Sequence, residues 1–175
     1  MELFEIFDNN GVLLGEVPRG TVHEQGMWHK SAQVFVFNSQ GELLLAQRAV
    51  DKDLYANLWD YSVGEHLQPR ETHAMAAYRG LIEELGIRHI QLKPLGVQRW
   101  VVQRGDGFWD REIQQAYQGV YDGQLILDPA EVQAVEYVAL VELHKRVETN
   151  PEQFTPWLLE DLLEFDLFDE AGRYC

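Results

Sequence analysis

Hydrophobic residues recur in short alternating or continuous runs along the first part of the chain, a pattern typical of β-strands. Residues 3–17 predict a hairpin that turns at Asn10 and Gly11, a pair suited to the positive φ angles of a tight turn. Residues 33–37 and 43–46 predict a second hairpin. Their nearly continuous apolar character suits strands covered on both faces, so we expect them at the centre of a sheet.

Residues 72–85 have the period of an amphipathic helix. Thr72 is a suitable N-cap, and Gly86 is placed to end the helix. Four apolar residues share one side of this helix and are predicted to face the core: Ala74, Tyr78, Leu81 and Leu85. The sequence therefore predicts one well-delimited helix after the second hairpin.

The rest of the chain predicts three strands and two helices. The strands are expected at 92–102, 112–121 and 135–138, and the helices at 140–149 and 155–165. We expect one α/β (α+β) domain in which a mixed β-sheet is sandwiched between helices. Its predicted parts are an N-terminal hairpin at 1–28, a core at 29–140 and C-terminal helices at 141–175.

The charge of the chain limits its partners. The 175 residues include 29 acidic and 14 basic side chains, a formal net charge of −15, which repels the phosphate backbone of nucleic acids. We therefore expect no nucleic-acid polymer as a partner. A small diphosphate would be repelled as well unless a bound divalent cation reversed the local field, and clustered carboxylates are the ligands that such a cation requires.

Two further features bear on location and chemistry. No apolar run approaches the ~20 residues needed to span a bilayer, and residues 1–5 are acidic where a secretory signal would be basic. We expect a cytoplasmic protein with no membrane partner. Cys175 is the only cysteine, which excludes a disulfide framework and leaves no thiol in the predicted core.

Candidate metal-binding carboxylates lie at the end of the predicted helix. At about 100° per residue, Glu83 and Glu84 project from adjoining faces, and Gly80 lies one turn before Glu84. Glu71 comes just before the helix, where it could accept amide hydrogen bonds or pair with Arg79. From helical spacing alone, an ordinary amphipathic helix with a solvated Glu-Glu face is the simpler interpretation.

The segment 65–87 as a whole resembles the Nudix box, which reads Gly, five residues, Glu, seven residues, Arg-Glu-apolar-x-Glu-Glu-x-Gly-apolar. Seven residues are in register: Glu71, Arg79, Leu81, Glu83, Glu84, Gly86 and Ile87. Two positions depart, because Glu65 stands where the box has its first glycine and Gly80 stands where it has a glutamate. In Nudix hydrolases that glutamate is usually a metal ligand or takes part in catalysis. The resemblance implies that restoring glutamate at position 80 would raise the rate.

Residues 21–121 also resemble the type I isopentenyl-diphosphate isomerases, a branch of the same superfamily. The matching segments are His29, 34–38, 41–45, 48–49, 58–59 and 62–66. The resemblance implies that His66 is a metal ligand and that His23 and His29 lie near two further metal histidines. It also aligns Asp110-Arg111-Glu112 with an element that carries a ligand and the catalytic glutamate. Gly64 stands where the isomerases have a catalytic cysteine.

These patterns together predict a metal-dependent Nudix hydrolase that cleaves a diphosphate linkage in a nucleoside diphosphate-linked or related organic diphosphate. We expect Mg²⁺, or Mn²⁺ in its place, to neutralise phosphate oxygens and position the attacking water. The predicted metal ligands are Glu83, Glu84, Asp110 and His66. The predicted catalytic residues are Glu83, Glu84 and Glu112, and the structural box residues are Glu71, Arg79 and Gly86. The partner is expected to be a small diphosphate substrate, with a homodimer as one option for assembly.

Two other functions remain open on the sequence alone. An isomerase-like or prenyl-diphosphate activity would need a replacement for the cysteine absent at Gly64, because isomerisation of an unactivated alkene requires an acid and a base on opposite faces. A non-catalytic diphosphate-binding module would use the same fold, with Gly80 marking lost chemistry. Product formation from isopentenyl diphosphate, or magnesium-dependent binding without turnover, separates these alternatives from hydrolysis.

Overall fold

Nine strands form one mixed sheet in the computed structural model of the chain, which describes residues 2–105 and 108–167. Cys175 lies outside these residues. The strands are β1 (Leu3–Phe7), β2 (Leu13–Pro18), β3 (Trp28–Phe37), β4 (Leu43–Arg48), β5 (Trp59–Asp60), β6 (Val63–His66), β7 (Lys93–Gly105), β8 (Phe108–Val120) and β9 (Val132–Val138). Both predicted hairpins are confirmed, since β1 pairs antiparallel with β2, and β3 with β4.

Four α-helices lie among the described residues: α1 (Arg19–Gln25), α2 (His73–Leu85), α3 (Leu140–Thr149) and α4 (Pro156–Glu164), with a short 3-10 turn at Pro151–Gln153. Helix α2 has the predicted ends. The Thr72 side chain accepts a hydrogen bond from the amide of Met75, and Gly86 stops the helix with a left-handed φ of 69°. Within the described part of the chain, no helix is long and apolar enough to cross a membrane.

The central strand of the sheet is β3. It runs parallel to β8 along its whole length, from Trp28 opposite Arg111 to Phe37 opposite Val120. It also pairs antiparallel with β6 in its middle and with β4 at its end. Strand β4 pairs in turn with β9, and β8 with β7. The predicted mixed sheet and the central position of β3 are confirmed.

Alternating residues of β3 build two hydrophobic cores, one on each face of the sheet. Ala32, Val34 and Val36 pack with the buried side of α2. Phe35 and Phe37 point the other way and pack with α3 and α4. Full burial of a side chain of this size contributes roughly 1.5–3 kcal/mol. The helices therefore cover both faces of the sheet, as the sequence predicts.

Helix α1 is an element that the sequence does not predict, because only a hairpin is expected within 1–28. Its single buried residue, Val22, packs against Phe4 and Ile6 of β1. The helix has seven residues, with Gly20 in its first turn and no side-chain cap. So short a helix leaves almost no periodicity in the sequence.

The buried side of α2 also differs from the predicted one. Tyr78 is 38% exposed, although the helical pattern places it towards the core. Small residues take core-facing positions instead, and the buried residues of the helix are Ala76, Ala77, Gly80, Leu81 and Leu85. Because alanine and glycine occupy so little volume, α2 can approach the sheet closely at strand β6.

Candidate metal centre and active site

Three histidines and one aspartate from separate parts of the chain meet beside the start of strand β3. His23 comes from α1, His29 from β3, His66 from the end of β6 and Asp110 from β8. One ligand atom of each residue lies within 4.8 Å of those of the other three. We refer to these four residues as the histidine cluster. Imidazole nitrogens combined with a carboxylate oxygen are a donor set that suits Zn²⁺ or Mn²⁺.

The strand register explains how these ligands are presented. Strand β8 begins at Phe108, earlier than the predicted 112, so Asp110 is a strand residue on the same face as Glu112. His29 lies directly opposite Glu112 in the β3–β8 pair. His66 is the last residue of β6, a strand that the sequence does not predict, and pairs with Ser31 of β3. All but His23 are therefore fixed by the central sheet.

His29 and Asp110 present two buried polar atoms that have no hydrogen-bond partner. Nδ1 of His29 lies 3.0 Å from the backbone oxygen of Met27, which can only accept, so Nδ1 carries the proton and Nε2 keeps its lone pair. This Nε2 lies 3.4 Å from Oδ1 of Asp110. Each unsatisfied buried atom costs about 1–3 kcal/mol. A cation bound by both atoms would remove that cost, so the donor set fits a divalent metal ion.

Glu112 is buried beside the histidine cluster and carries a negative charge. Its Oε1 lies 3.0 Å from Nε2 of His66, and its Oε2 accepts a hydrogen bond from Gln114. Burial is the largest single effect and opposes ionisation, but the hydrogen bond with His66, the charge of His66 and the hydrogen bond from Gln114 together lower the pKa of Glu112. The same contact raises the pKa of His66 against the effect of burial. Burial, followed by the charge of Glu112, raises the pKa of Asp110.

The other two histidines of the cluster are neutral at pH 7. Burial lowers the pKa of His29 to about 3 and that of His23 to about 4, and the charge of His66 acts in the same direction on both. Phe4 stacks on His29 with ring centroids 5.3 Å apart and shields one face of the imidazole. Neutral imidazole is the form that binds a metal ion.

A cavity of about 720 Å³ opens beside the histidine cluster. This volume lies in the range of small-molecule sites. Three basic side chains on its wall offer positive charge to an anionic ligand: Arg19, Arg48 and Lys52. Trp157 lines the same cavity, and its indole nitrogen donates to the two oxygens of Asp60 at 2.8 and 2.9 Å. The cavity thus combines cations and an aromatic ring next to the candidate metal ligands.

Glu84 lies in a second group, which borders a narrow recess together with Asp60, Glu131 and Lys52. We call these four residues the acidic recess. Burial, followed by the charges of Glu65 and Glu131, raises the pKa of Glu84 well above its usual value. Lys52 pairs with Glu131 but does not cancel the effect. Carboxylate oxygens are the ligands that a hard cation such as Mg²⁺ prefers.

Arg79 fixes the acidic residues around the start of α2. Its guanidinium donates to the two oxygens of Glu71 at 2.9 and 3.0 Å, which confirms the predicted pairing. It also donates to Oε2 of Glu65 and to the backbone oxygen of His66, both at 2.9 Å. Glu83 touches the same guanidinium at 3.3 Å with 58% of its side chain exposed. One arginine therefore joins helix α2 to strand β6.

The structure divides the predicted site residues among three places. His66 and Asp110 meet in the histidine cluster, with Glu112 beside them. Glu84 lies in the acidic recess. Glu83 is exposed on the helix surface. The sequence predicts one ion held by residues from both the helix and strand β8, whereas the ligand atoms that converge in the described residues are those of the histidine cluster, and Glu84 borders an adjoining recess.

Several side chains at the site are not identified by sequence reasoning: Tyr61, Glu131 and Trp157. Each is brought to the cavity by tertiary structure, and none belongs to a motif with a recognisable spacing. Glu65 did carry a signal, because it interrupts the box at its first glycine. In the sequence, that departure indicates only that the first glycine of the box is missing. The position of Glu65 against helix α2 is visible only in the fold.

Gly64 has no room for a side chain. A Cβ built at Gly64 would lie 2.5 Å from Cε2 and 3.1 Å from Oη of Tyr61. Tyr61 is 9% exposed and packs edge-on against Phe35 at 5.8 Å between ring centroids, so its ring is held by the core. The space at the position of the isomerase cysteine is therefore filled by a neighbouring residue.

Comparison with known proteins agrees with this architecture. The NUDIX domain family matches residues 27–158. The chain is 34% identical over 152 residues to the isopentenyl-diphosphate Delta-isomerase of Pectobacterium atrosepticum, covering 87% of this chain and 84% of that protein. It is 32% identical over 173 residues to the Nocardia farcinica protein of the same name, covering 97% and 98%. A crystal structure from Deinococcus radiodurans matches with a TM-score of 0.76 at 22% identity, covering 93% and 98%. The chain belongs to the Nudix superfamily and resembles its isopentenyl-diphosphate isomerase branch.

Proposed function

We propose that the chain is a metal-dependent Nudix hydrolase that cleaves a diphosphate linkage in a nucleoside diphosphate-linked or related organic diphosphate. Glu84, with Glu83 nearby, would bind Mg²⁺ or Mn²⁺, and the histidine cluster would bind a second divalent ion. Two features support this proposal. The unpaired atoms of His29 and Asp110 fit a cation, and the adjoining cavity of about 720 Å³ carries basic groups for phosphate.

The observation that favours hydrolysis over isomerisation is the contact between Gly64 and Tyr61. Isomerisation of an alkene requires a proton donor and a proton acceptor on opposite faces of the substrate. The isomerases have their cysteine at the position of Gly64, and here Tyr61 occupies the space of any side chain at that position, 2.5 Å from the Cβ site. Hydrolysis needs no such pair, because water is the second reactant.

The residues present have distinct tasks in this proposal. A bound cation would neutralise phosphate oxygens and lower the pKa of a bound water molecule. Glu112 is kept ionised by its hydrogen bond with His66 and would accept the proton of the attacking water, although the same hydrogen bond lowers its basicity. Arg48 and Lys52 on the cavity wall would hold the phosphate groups and offset the acidic net charge nearby.

A specific observation favours isomerisation as the second candidate. The histidine cluster with Glu112 contains the residues that the isomerase resemblance implies, and the two relatives described above carry that name. In this alternative, the phenol of Tyr61 would take over the role of the missing cysteine. Burial, followed by the charge of Asp60, raises the pKa of Tyr61 well above its usual value, which keeps the phenol protonated.

A substrate screen tests the proposal. The full chain is incubated with nucleoside diphosphate sugars, dinucleoside polyphosphates, nucleoside triphosphates and prenyl diphosphates, each with Mg²⁺, with Mn²⁺ and with a chelator. We expect metal-dependent cleavage of a diphosphate linkage and no dimethylallyl diphosphate from isopentenyl diphosphate. Turnover that survives Glu84→Gln would refute the assigned site. Metal-dependent binding of every substrate without turnover would instead identify a non-catalytic binding module.

The remaining features of this proposal are the small-molecule substrate, the cytoplasmic location and the option of a homodimer. The acidic balance of the chain supports a small ligand over a nucleic-acid polymer. Light scattering of the purified chain at micromolar concentration measures the mass of the assembly and so decides between monomer and dimer.

A further inference from the structure

Gly80, in the middle of α2, has its side-chain space filled by residues of strand β6. A Cβ built at Gly80 would lie 2.5 Å from Cγ of Glu65 and 2.5 Å from Cγ1 of Val63, both closer than carbon atoms can approach. Cδ of Glu65 would lie at 3.4 Å. Glycine is unfavourable inside a helix, so its presence here requires a reason. The reason is that the Glu65 side chain lies across the helix at this point.

The Glu65 carboxylate is held firmly in that position. Its backbone pairs with Ala32 of the central strand β3. Its Oε2 accepts a hydrogen bond from Nη1 of Arg79 at 2.9 Å, and its side chain is only 17% exposed. Arg79 itself is anchored by two hydrogen bonds to Glu71. Glu65 also lines the large cavity, which adjoins the recess beside Glu84.

Glu84 lies one helical turn after Gly80 in α2, and residues four apart on a helix are neighbours on its surface. The Glu65 side chain fills the space of a side chain at position 80, so it lies next to Glu84. Two neighbouring, partly buried carboxylates are stabilised when a cation binds between them.

The two departures from the Nudix box are therefore spatially related. The box expects glycine at 65 and glutamate at 80, and this chain has glutamate at 65 and glycine at 80. We propose that Glu65 supplies, from strand β6, the carboxylate that the box places on helix α2 at position 80, and that Glu65 and Glu84 bind the same cation. This inference rests on the proposed function, since it assigns a further ligand to the Glu84 site.

The exchange predicts the effect of substitutions at position 80. Gly80→Glu alone cannot restore a ligand, because the new side chain would overlap with Glu65 and Val63. We therefore expect this change alone to leave the rate unimproved, in contrast to the expectation from sequence. Shortening Val63 to alanine and replacing Glu65 by glycine removes both overlapping carbon atoms and makes room for a glutamate at 80.

The test measures Mn²⁺ binding by the full chain with electron paramagnetic resonance, and thermal unfolding in parallel. The site of interest is the one lost in Glu84→Gln. We expect Glu65→Gln to weaken it at least tenfold. We expect the double variant Val63→Ala/Glu65→Gly to bind as weakly, and the triple variant that adds Gly80→Glu to bind within about threefold of the parent chain. Glu136→Gln is the matched control, because Glu136 also pairs with an arginine at 2.9 Å but lies outside the site.

Three results would overturn the inference. The first is unchanged Mn²⁺ binding in Glu65→Gln. The second is a triple variant that unfolds at the temperature of the double variant but regains no binding. The third is loss of binding in Glu136→Gln, which would show a nonspecific charge effect. If the double variant does not fold, the comparison of Mn²⁺ binding between Glu65→Gln and Glu136→Gln tests the inference by itself. If Glu84→Gln changes neither the number nor the affinity of the Mn²⁺ sites, the proposed function itself is refuted, which is a separate outcome.

Discussion

Nε2 of His29 and Oδ1 of Asp110 face each other at 3.4 Å in the interior, and both are acceptors. Two lone pairs at that distance repel each other unless a proton or a cation lies between them. The fold keeps His29 in place through the backbone oxygen of Met27 and keeps Asp110 in place through strand β8. The pair is therefore arranged for a ligand before any ligand binds.

Metal binding should stabilise the chain through this pair. At a Zn²⁺ or Mn²⁺ concentration of about 100 times the dissociation constant, binding adds roughly 2.7 kcal/mol, or about 5–10 °C in Tm for a chain of this size. We expect His29→Gln to lose most of this shift in a thermal melt at pH 7.5. His89→Gln, a change at an exposed histidine, should keep it. Equal shifts in both variants would contradict the assignment of the cluster.

Asp110→Asn should change the pH dependence of stability. Burial and the charge of Glu112 raise the pKa of Asp110 to about 7, above its ordinary value of 3.8. Ionisation of Asp110 therefore destabilises the fold above pH 7, and the penalty disappears as the pH falls towards 3.8. In chelator, we expect the asparagine variant to be more stable than the parent by about 1–3 kcal/mol at pH 8 and equally stable near pH 4. Urea unfolding at pH 4, 6 and 8 measures this, and a difference independent of pH would rule it out.

Glu84→Gln should lower the activity of the protein while raising its stability in chelator. Burial and the charges of Glu65 and Glu131 raise the pKa of Glu84, so its ionisation is unfavourable at neutral pH without a cation. We expect the variant to lose turnover by at least a hundredfold and to gain about 1 kcal/mol of unfolding free energy in chelator. Glu160→Gln, an exposed glutamate in α4, should change neither quantity. A variant that loses both activity and stability would point to a structural role for Glu84.

Gly64→Ala should be destabilising because Tyr61 fills the space of the new methyl group. Overpacking of this kind costs about 1–3 kcal/mol. Gly20→Ala is the matched control, since a Cβ at Gly20 meets nothing within 4 Å and alanine favours the helix. Denaturant titrations of both variants provide the comparison. If Gly64→Ala is as stable as the parent, Tyr61 can move aside and the steric argument against an isomerase cysteine fails.

The elements with strong local signals could be predicted from the sequence. Helix α2 has both a side-chain cap at Thr72 and a stop at Gly86, and β3 is continuously apolar. The buried side of α2 was predicted less well, because Tyr78 is apolar enough to suggest burial. The close approach of β6 instead favours Gly80 on that side, and this depends on residues far away in sequence.

The candidate site could be predicted only as a set of residue types. The resemblance to the isomerases implies His66 and Asp110 as ligands and places His23 and His29 near two further metal histidines, and the structure brings all four together. Nothing in the sequence indicates that Glu84 lies apart from the histidine cluster, because that separation depends on how the elements pack in the fold. Likewise, the exchange of glutamate and glycine between positions 65 and 80 depends on which side chain fills a space in the folded chain. A sequence pattern does not show this.

Helix α1 is attached to the rest of the chain by few buried groups, since Val22 is its only buried residue, yet it contributes His23 to the cluster. An ion bound there would act as a cross-link between the N-terminal segment and the central strands. Amide exchange and protease cleavage in that segment would then slow when the site is occupied, although the other ligands of the site lie as far along the chain as Asp110.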